Sequence, residues 1–96
     1  MPLATLTLEL RIEHAQSLKD RRQVLRSLKD KLRQGFNISV AELNVSDIWN
    51  AATVGVAAIS DSRDYLRGQM ERVEKAAHRI AADHGAEIID SYCDLE

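Results

Sequence analysis

The chain has 96 residues, of which 45% are hydrophobic, and a formal net charge of −2 at pH 7. This length suits one domain, residues 1–96, and a core this small gains stability when the protein oligomerises. The single cysteine, Cys93, excludes an intrachain disulfide, and no apolar run approaches the roughly 20 residues that cross a bilayer. The amino terminus lacks the apolar segment of a signal peptide. We therefore expect a cytoplasmic protein that has no membrane partner.

Alternating residues predict a strand over residues 4–12, and an amphipathic helix follows it. The apolar face of the strand carries Leu6, Leu8, Leu10 and Ile12. Ser17 with Asp20 three residues later is typical of a capping box, and Gly35 predicts the end of the helix. The apolar stripe of this helix consists of Leu18, Val24, Leu25, Leu28 and Leu32.

A second strand is predicted from Phe36, Ile38 and Val40, which alternate with polar or small residues. The apolar parity then changes, because Leu43 and Val45 follow, and a bulge near Val40–Ala41 would explain the change. Small apolar residues over 51–59 predict a third strand in the centre of the sheet.

A second helix is predicted to begin near Asp61 and Asp64 and to end at Gly85. Its apolar stripe consists of Leu66, Met70, Val73, Ala77 and Ile80. Residues 86–93 predict the last strand, around Ile88 and Ile89.

The order of these elements is strand, helix, strand, strand, helix, strand. It predicts an α+β fold, the ferredoxin-like βαββαβ sandwich, in which a four-stranded antiparallel sheet carries two helices on one face. The same order fits a different mixed sheet, but the ferredoxin-like arrangement is the simplest.

One face of the first predicted helix carries a row of cations. Lys19, Arg22, Arg26, Lys29 and Arg33 fall within an arc of roughly 80° at 100° per residue. Residues 16–35 hold seven Lys and Arg against two acidic residues, whereas the rest of the chain holds six against thirteen. We expect the five cations to contact RNA phosphates. The alternative is a solvated face whose long side chains cover the edge of the core.

The sheet face that lies away from the helices is expected to be flat and built from small residues. Its positions on the two central strands are Thr5, Thr7, Glu9, Arg11, Thr53, Gly55, Ala57 and Ile59. These positions lack the aromatic side chains on which RNA-binding proteins of this topology stack bases. We expect a homodimer through this face or an edge strand, and the alternative is a face that is simply hydrated. The candidate interface residues are Thr53, Ile59 and Trp49, the last of which more often covers a core than contacts a ligand.

No residue set in the chain points to catalysis, a metal or a cofactor. The spacing of His14, His78 and His84 matches no zinc site. Ser17 is explained as a helix cap, because no general base is paired with it. The acidic carboxyl-terminal tail is expected to raise the pKa of the Cys93 thiol and to lower its reactivity. We expect a non-enzymatic protein with no known small-molecule substrate.

The stretch from Ser17 onward resembles the YlxP-like family of small bacterial proteins of unknown function. The segments that carry the resemblance are SLKDRRQVLRSLKDKLRQ, FNISVAEL, DIW and ATVGVAAIS. The resemblance covers nearly the whole chain and implies a ferredoxin-like fold and a cytoplasmic protein whose gene often lies among translation and ribosome-maturation genes. The family has no established reaction, so the resemblance implies no catalytic residues.

Two functional hypotheses follow. In the first, the protein is translation-associated and contacts RNA, on the ribosome or its precursors, through the row of cations. In the second, it is a dimeric protein–protein adaptor or small-ligand-binding module, and the row of cations is merely solvated.

Overall fold

The computed structural model describes residues 1–13, 15–44 and 50–96. Along them the elements are β1 (Leu3–Ile12), α1 (Leu18–Gly35), β2 (Ser39–Leu43), β3 (Ala51–Ile59), α2 (Arg63–Asp83) and β4 (Ala86–Leu95). The strands form an antiparallel sheet in the order β2-β3-β1-β4, and both helices pack on one face of it. The predicted ferredoxin-like sandwich is therefore confirmed, with β3 and β1 as its central strands.

The core lies between the sheet and the two helices. The residues of β1 and β3 that point toward the helices are buried, as their alternation predicts. The apolar stripe predicted for α2 is buried along its whole length, whereas Leu18 and Val24 at the edge of the α1 stripe are half-buried. The helices are thus held by ordinary apolar burial, which leaves their outward faces free for other roles.

The first helix begins where the capping box predicts. The Ser17 hydroxyl accepts a hydrogen bond from the backbone N–H of Asp20 at 3.2 Å. The Asp20 carboxylate accepts one from the backbone N–H of Gln16 at 3.1 Å, one residue before the cap. The helix ends at Gly35, as predicted. These side chains satisfy donors that a helix start leaves without intrahelical partners.

The second helix is capped by Ser62, one residue after the predicted start at Asp61. The Ser62 hydroxyl accepts from the backbone N–H of Tyr65 at 3.2 Å. A serine hydroxyl caps a helix about as well as an aspartate carboxylate does. The sequence pattern therefore predicts where the helix begins but not which residue caps it. Gly85, with φ of 74°, allows the left-handed turn that ends the helix.

The bulge predicted near Val40–Ala41 is not there. Strand β2 pairs with β3 without interruption, from Ser39 opposite Ala57 to Leu43 opposite Thr53. The apolar parity changes for another reason: Glu42 takes a position on the helix side of the sheet, and Leu43 lies on the other side. An ion pair buried at the sheet edge produced the pattern that suggested a bulge.

The irregularity of the sheet lies instead in β4. Glu9 of β1 is opposite Asp90, while the next residue, Leu10, is opposite Ile88. Ile89 is therefore an extra residue in the edge strand, which is the arrangement of a β-bulge. The strand also runs two residues beyond the predicted 86–93, to Leu95.

Candidate nucleic-acid interface

The outward face of α1 carries the predicted row of cations, here called the basic row. It consists of Lys19, Arg22, Arg26, Lys29 and Arg33. Because the apolar stripe packs on the sheet, four of these side chains are exposed and that of Lys29 is half-buried. At 1.5 Å of rise per residue the row is about 21 Å long.

Most of the basic row borders a groove beside β2, with a volume of about 320 Å³. Its lining is Arg22, Leu25, Arg26, Lys29, Asp30, Arg33 and Glu42. Arg33 is anchored at one end, where it donates to the Val40 carbonyl at 2.6 Å and lies 3.8 Å from the Asp30 carboxylate. In the part of the chain that the structure describes, the remaining four members of the row have no ion pair.

A buried ion pair forms the wall of this groove. The Arg21 side chain is only 4% exposed and donates to the Glu42 carboxylate, which is 16% exposed. Its Nε also donates to the Ala51 carbonyl at 3.1 Å. Because Arg21 neutralises Glu42, Asp30 is the acidic side chain in the groove lining that opposes the cations. From its place near the apolar face of the helix, Arg21 is expected either to cap or to pair with a carboxylate, and it pairs with one.

The outward face of α2 has a different charge pattern. Its basic residues alternate with acidic ones, and Arg67 pairs with Asp64 at 3.2 Å. Four further cations are exposed on this helix, namely Arg63, Arg72, Lys75 and Arg79. Because Glu71, Glu74 and Asp83 lie among them, α2 lacks the excess of positive charge that α1 has.

The sheet face opposite the helices, here called the open face, carries a shallow depression of about 420 Å³. Its lining is Thr5, Leu6, Thr7, Ser39, Val40, Ala41, Leu43, Gly55, Val56 and Ala57. A Cβ at Gly55 would lie 2.7 Å from Leu43 Cδ1, so the Leu43 side chain lies flat over the glycine. The missing side chain of Gly55 thus makes the floor of the depression.

Two of the candidate interface residues lie on the open face. Thr53 is half-buried and donates to the Glu9 carboxylate at 3.0 Å, while Ile59 is exposed at the end of β3. Trp49 lies outside the described residues, as does His14. The sequence interpretation missed Tyr92, an exposed aromatic residue of β4 that lies opposite Thr7 on this face.

Cys93 lies on the helix side of β4, in a groove of about 300 Å³ that α2 borders. Partial burial raises the pKa of the Cys93 thiol, and the charges of Glu74 and Asp94 raise it further. The predicted direction of the pKa shift is confirmed, and burial is its largest single cause. Folding therefore favours the protonated thiol, and this stabilisation is lost as the pH rises through the folded-state pKa.

We expect Cys93 to be alkylated slowly at pH 8, because the thiolate is the reacting species. Iodoacetamide should react more slowly with the folded protein than with the protein in denaturant. Glu74→Gln should speed the reaction several-fold, whereas the distant Glu87→Gln should leave the rate unchanged. Equal rates in the folded and unfolded chain would contradict the raised pKa of the thiol.

The described residues contain no group of three or more His, Cys, Asp and Glu side chains that could hold a metal ion. His84 instead accepts a hydrogen bond from Lys31 Nζ at 3.0 Å. In the same part of the chain, none of the helices has the length and apolar character needed to cross a membrane.

Comparison with known proteins identifies the family and the fold. The family described as protein of unknown function (DUF503) matches residues 3–93. Over an aligned stretch of 62 residues, the chain is 36% identical to the uncharacterized protein YlxP of Bacillus subtilis (strain 168). This stretch covers 65% of this chain and 67% of that protein.

Solved structures that resemble this one share less sequence. A dimeric ferredoxin-like protein of unknown function from Thermobifida fusca aligns with all of this chain and 90% of its own, at 20% identity and a TM-score of 0.54. SnoaB, a cofactor-independent oxygenase from Streptomyces nogalater, aligns with all of this chain and 92% of its own, at 11% identity and a TM-score of 0.59. At these identities the likeness extends to the fold alone.

Proposed function

The chain belongs to the DUF503 family of proteins of unknown function, and from that premise we propose that it binds RNA through the basic row. The observation that carries the proposal is the excess of positive charge on the outward face of α1, where the five cations of the basic row face one groove carboxylate, that of Asp30, besides the Glu42 that Arg21 neutralises. Lys19, Arg22, Arg26 and Lys29 have no ion pair among the described residues, because the buried Arg21 pairs with Glu42 and Arg33 lies beside Asp30. Four cations are thus available for an external polyanion.

The length of the basic row suits a nucleic-acid backbone. A strand of duplex passes one phosphate about every 3.4 Å of axis, so roughly six phosphates pass over the 21 Å row. Contacts of this kind fix the position of the protein and give affinity, but they carry little sequence information. The backbone N–H groups at the start of α1, beside Ser17, add a favourable dipole for one phosphate.

RNA is the proposed polyanion because of the YlxP-like resemblance, which implies a place among translation and ribosome-maturation genes. We propose a cytoplasmic protein that acts on the ribosome or its precursors and performs no catalysis. The open face lacks a row of aromatic side chains on its central strands, so α1 and not the sheet is the proposed RNA surface.

The test compares two variants of equal charge. The basic-row variant replaces Lys19, Arg22, Arg26 and Lys29 by glutamine, and the α2 control variant replaces Arg63, Arg72, Lys75 and Arg79 by glutamine. Each lowers the formal net charge from −2 by the same four units. Arg33 is left in place because it holds the Val40 carbonyl.

We expect the wild-type protein to bind fluorescent structured RNA more tightly than a heparin polyanion of matched length at physiological salt. The basic-row variant should lose at least about ten-fold in RNA affinity. Each phosphate contact that is removed also removes the favourable release of a counterion from the RNA. The α2 control variant should bind almost as the wild type does. Equal losses in the two variants, or equal binding of both polyanions, would show that only overall charge matters.

The second candidate, a dimeric adaptor or small-ligand-binding module, is favoured by the open face. Leu43, Ile59 and Tyr92 are large apolar or aromatic side chains exposed on it. Two structures of similar fold, from Thermobifida fusca and Bacteroides fragilis, are described as dimeric. We therefore propose a homodimer as well, and it is compatible with RNA binding because the basic row lies on the other side of the sheet.

A further inference from the structure

We propose that two copies of this chain pack open face to open face, so that Tyr92 of each copy fills the depression on the other. The inference rests on the proposed homodimer and is independent of RNA binding. It assigns a surface, an orientation and a central side chain to the dimer.

The open face gathers most of the large apolar side chains that the described chain exposes. Leu43, Ile59 and Tyr92 lie on it, and Ile89 lies at its β4 side, in the bulge. The depression among them is built from small side chains of β2, β3 and β1. A concentration of exposed apolar surface of this kind marks an interaction site in soluble proteins.

The area of the open face sets how much of it a dimer must use. The four strands have 10, 5, 9 and 10 residues and lie about 4.8 Å apart, so they cover roughly 540 Å² in projection. A stable interface needs about 600–1,000 Å² from each partner. The depression alone is too small, so the interface must also include β4, the strand that carries Tyr92.

One row of residues across the sheet can pack against the same row of a second copy that runs in the opposite direction. The row consists of Ala41, Gly55, Thr7 and Tyr92, and neighbouring members are direct cross-strand partners. A two-fold axis parallel to the strands, between β3 and β1, lays this row on the same row read backwards. Tyr92 of one copy then lies over Ala41 of the other, and Thr7 lies over Gly55 and the Leu43 side chain that covers it. The largest side chain of the row thereby meets an alanine.

Charge selects this orientation over the other face-to-face arrangement. Strand β4 carries the acidic residues Glu87, Asp90 and Asp94 on or beside the open face. A two-fold axis perpendicular to the strands would place β4 over β4 and bring these like charges together, which is costly. The axis parallel to the strands places β4 over β2, whose open-face residues are Ser39, Ala41 and Leu43.

Two pairs of polar side chains on the open face are already hydrogen-bonded within one copy. Thr53 donates to Glu9 at 3.0 Å, and the Tyr92 hydroxyl donates to Asp90 at 2.7 Å. Packing therefore leaves these groups paired, which limits the desolvation cost. The acids of β4 lie on an edge strand, where solvent still reaches them.

The angle between the two packed sheets does not move Tyr92 away from the depression. Packed sheets lie about 30° from parallel, which at β4, about 7 Å from the axis, shifts a side chain by about one residue along the strand. The depression extends over three residues of β2, from Ser39 to Leu43 on alternate positions. The ring of Tyr92 therefore stays over it.

The first experiment uses a matched pair of tyrosines. Tyr92 and Tyr65 are 56% and 53% exposed, but Tyr65 lies on α2, away from the open face. We expect wild-type protein to be a dimer in sedimentation equilibrium. Tyr92→Ala should raise the dimer dissociation constant by about 30-fold or more, as loss of a central aromatic does, while Tyr65→Ala should leave it unchanged. Circular dichroism checks that both variants are folded.

The second experiment tests the orientation by placing either charge at Ala41. Either side chain takes up part of the space under the Tyr92 ring, but opposite the acids of β4, Ala41→Glu should weaken the dimer several-fold more than Ala41→Lys does. If β2 instead lay over β2, each new charge would face the same charge on the other copy. The two substitutions would then weaken the dimer equally.

Three results would overturn the inference, and they are distinguishable. A wild-type monomer removes both the homodimer and this interface. If the protein is a dimer and both Tyr92→Ala and Tyr65→Ala leave it intact, the proposed interface is wrong but the homodimer is not. Equal weakening by Ala41→Glu and Ala41→Lys removes the proposed orientation. None of these results bears on RNA binding by the basic row.

Discussion

Replacing Arg21 with methionine is expected to lower the free energy of unfolding by about 3 kcal/mol, because it leaves the Glu42 carboxylate without its cation. Methionine fills a space similar to that of the apolar part of the arginine side chain. The loss of stability therefore measures the effect of the unpaired charge and not that of a cavity. The Nε hydrogen bond to the Ala51 carbonyl is lost as well. Urea denaturation with a linear extrapolation measures the change.

Two controls separate the buried pair from ordinary surface charge. Arg67→Met breaks the exposed pair with Asp64 and should cost less than about 1 kcal/mol. Combining Arg21→Met with Glu42→Leu removes both charges and should recover most of the stability, since no unpaired carboxylate remains. If the double variant is as unstable as Arg21→Met alone, then the loss comes from packing and not from the unpaired charge.

The basic-row variant is expected to flatten the salt dependence of RNA binding. Each phosphate contact contributes about 0.7 on a single strand to about 0.9 on a duplex to the slope of log K against log salt, so four lost contacts lower the slope by about 3. Over a four-fold rise in salt concentration this difference amounts to roughly 50-fold in affinity. The wild-type protein should therefore lose far more affinity on raising the salt than the basic-row variant does.

The α2 control variant should retain the steep slope of the wild type. Its four neutralised cations lie on a face that the acids of α2 already balance. Titrations at several salt concentrations, with one RNA and constant protein concentrations, give the slopes directly. A basic-row slope equal to that of the wild type would place the phosphate contacts elsewhere on the protein.

The elements and most of the core were predictable from residue patterns. Residues 51–59 alternate without exception and form β3 at those positions, and the apolar stripe of α2 is buried throughout. Such patterns are local, because burial against a single neighbouring layer imposes a period of two on a strand and 3.6 on a helix. The capping residue Ser17 is equally local, since its partner lies three residues away.

The features that the sequence did not reveal depend on partners distant in the chain. Glu42 reads as an ordinary polar residue of an edge strand until Arg21, on α1, packs against it. The resulting change of parity in β2 was therefore wrongly assigned to a bulge. The candidate site was predictable only as a row of charges, because the pattern shows which face of α1 is basic but not that Arg33 is anchored to the Val40 carbonyl.

The extra residue in β4 has a consequence for how relatives of this chain can diverge. Before Ile89 the even-numbered residues Ala86 and Ile88 face the helices, whereas after it the odd-numbered Ser91 and Cys93 do. Without the bulge, Asp90 and Tyr92 would point into the core. A change of one residue in length at this point, unlike any substitution, exchanges the two faces of the strand. Among homologues, insertions and deletions within β4 should therefore be selected against more strongly than substitutions on its open face.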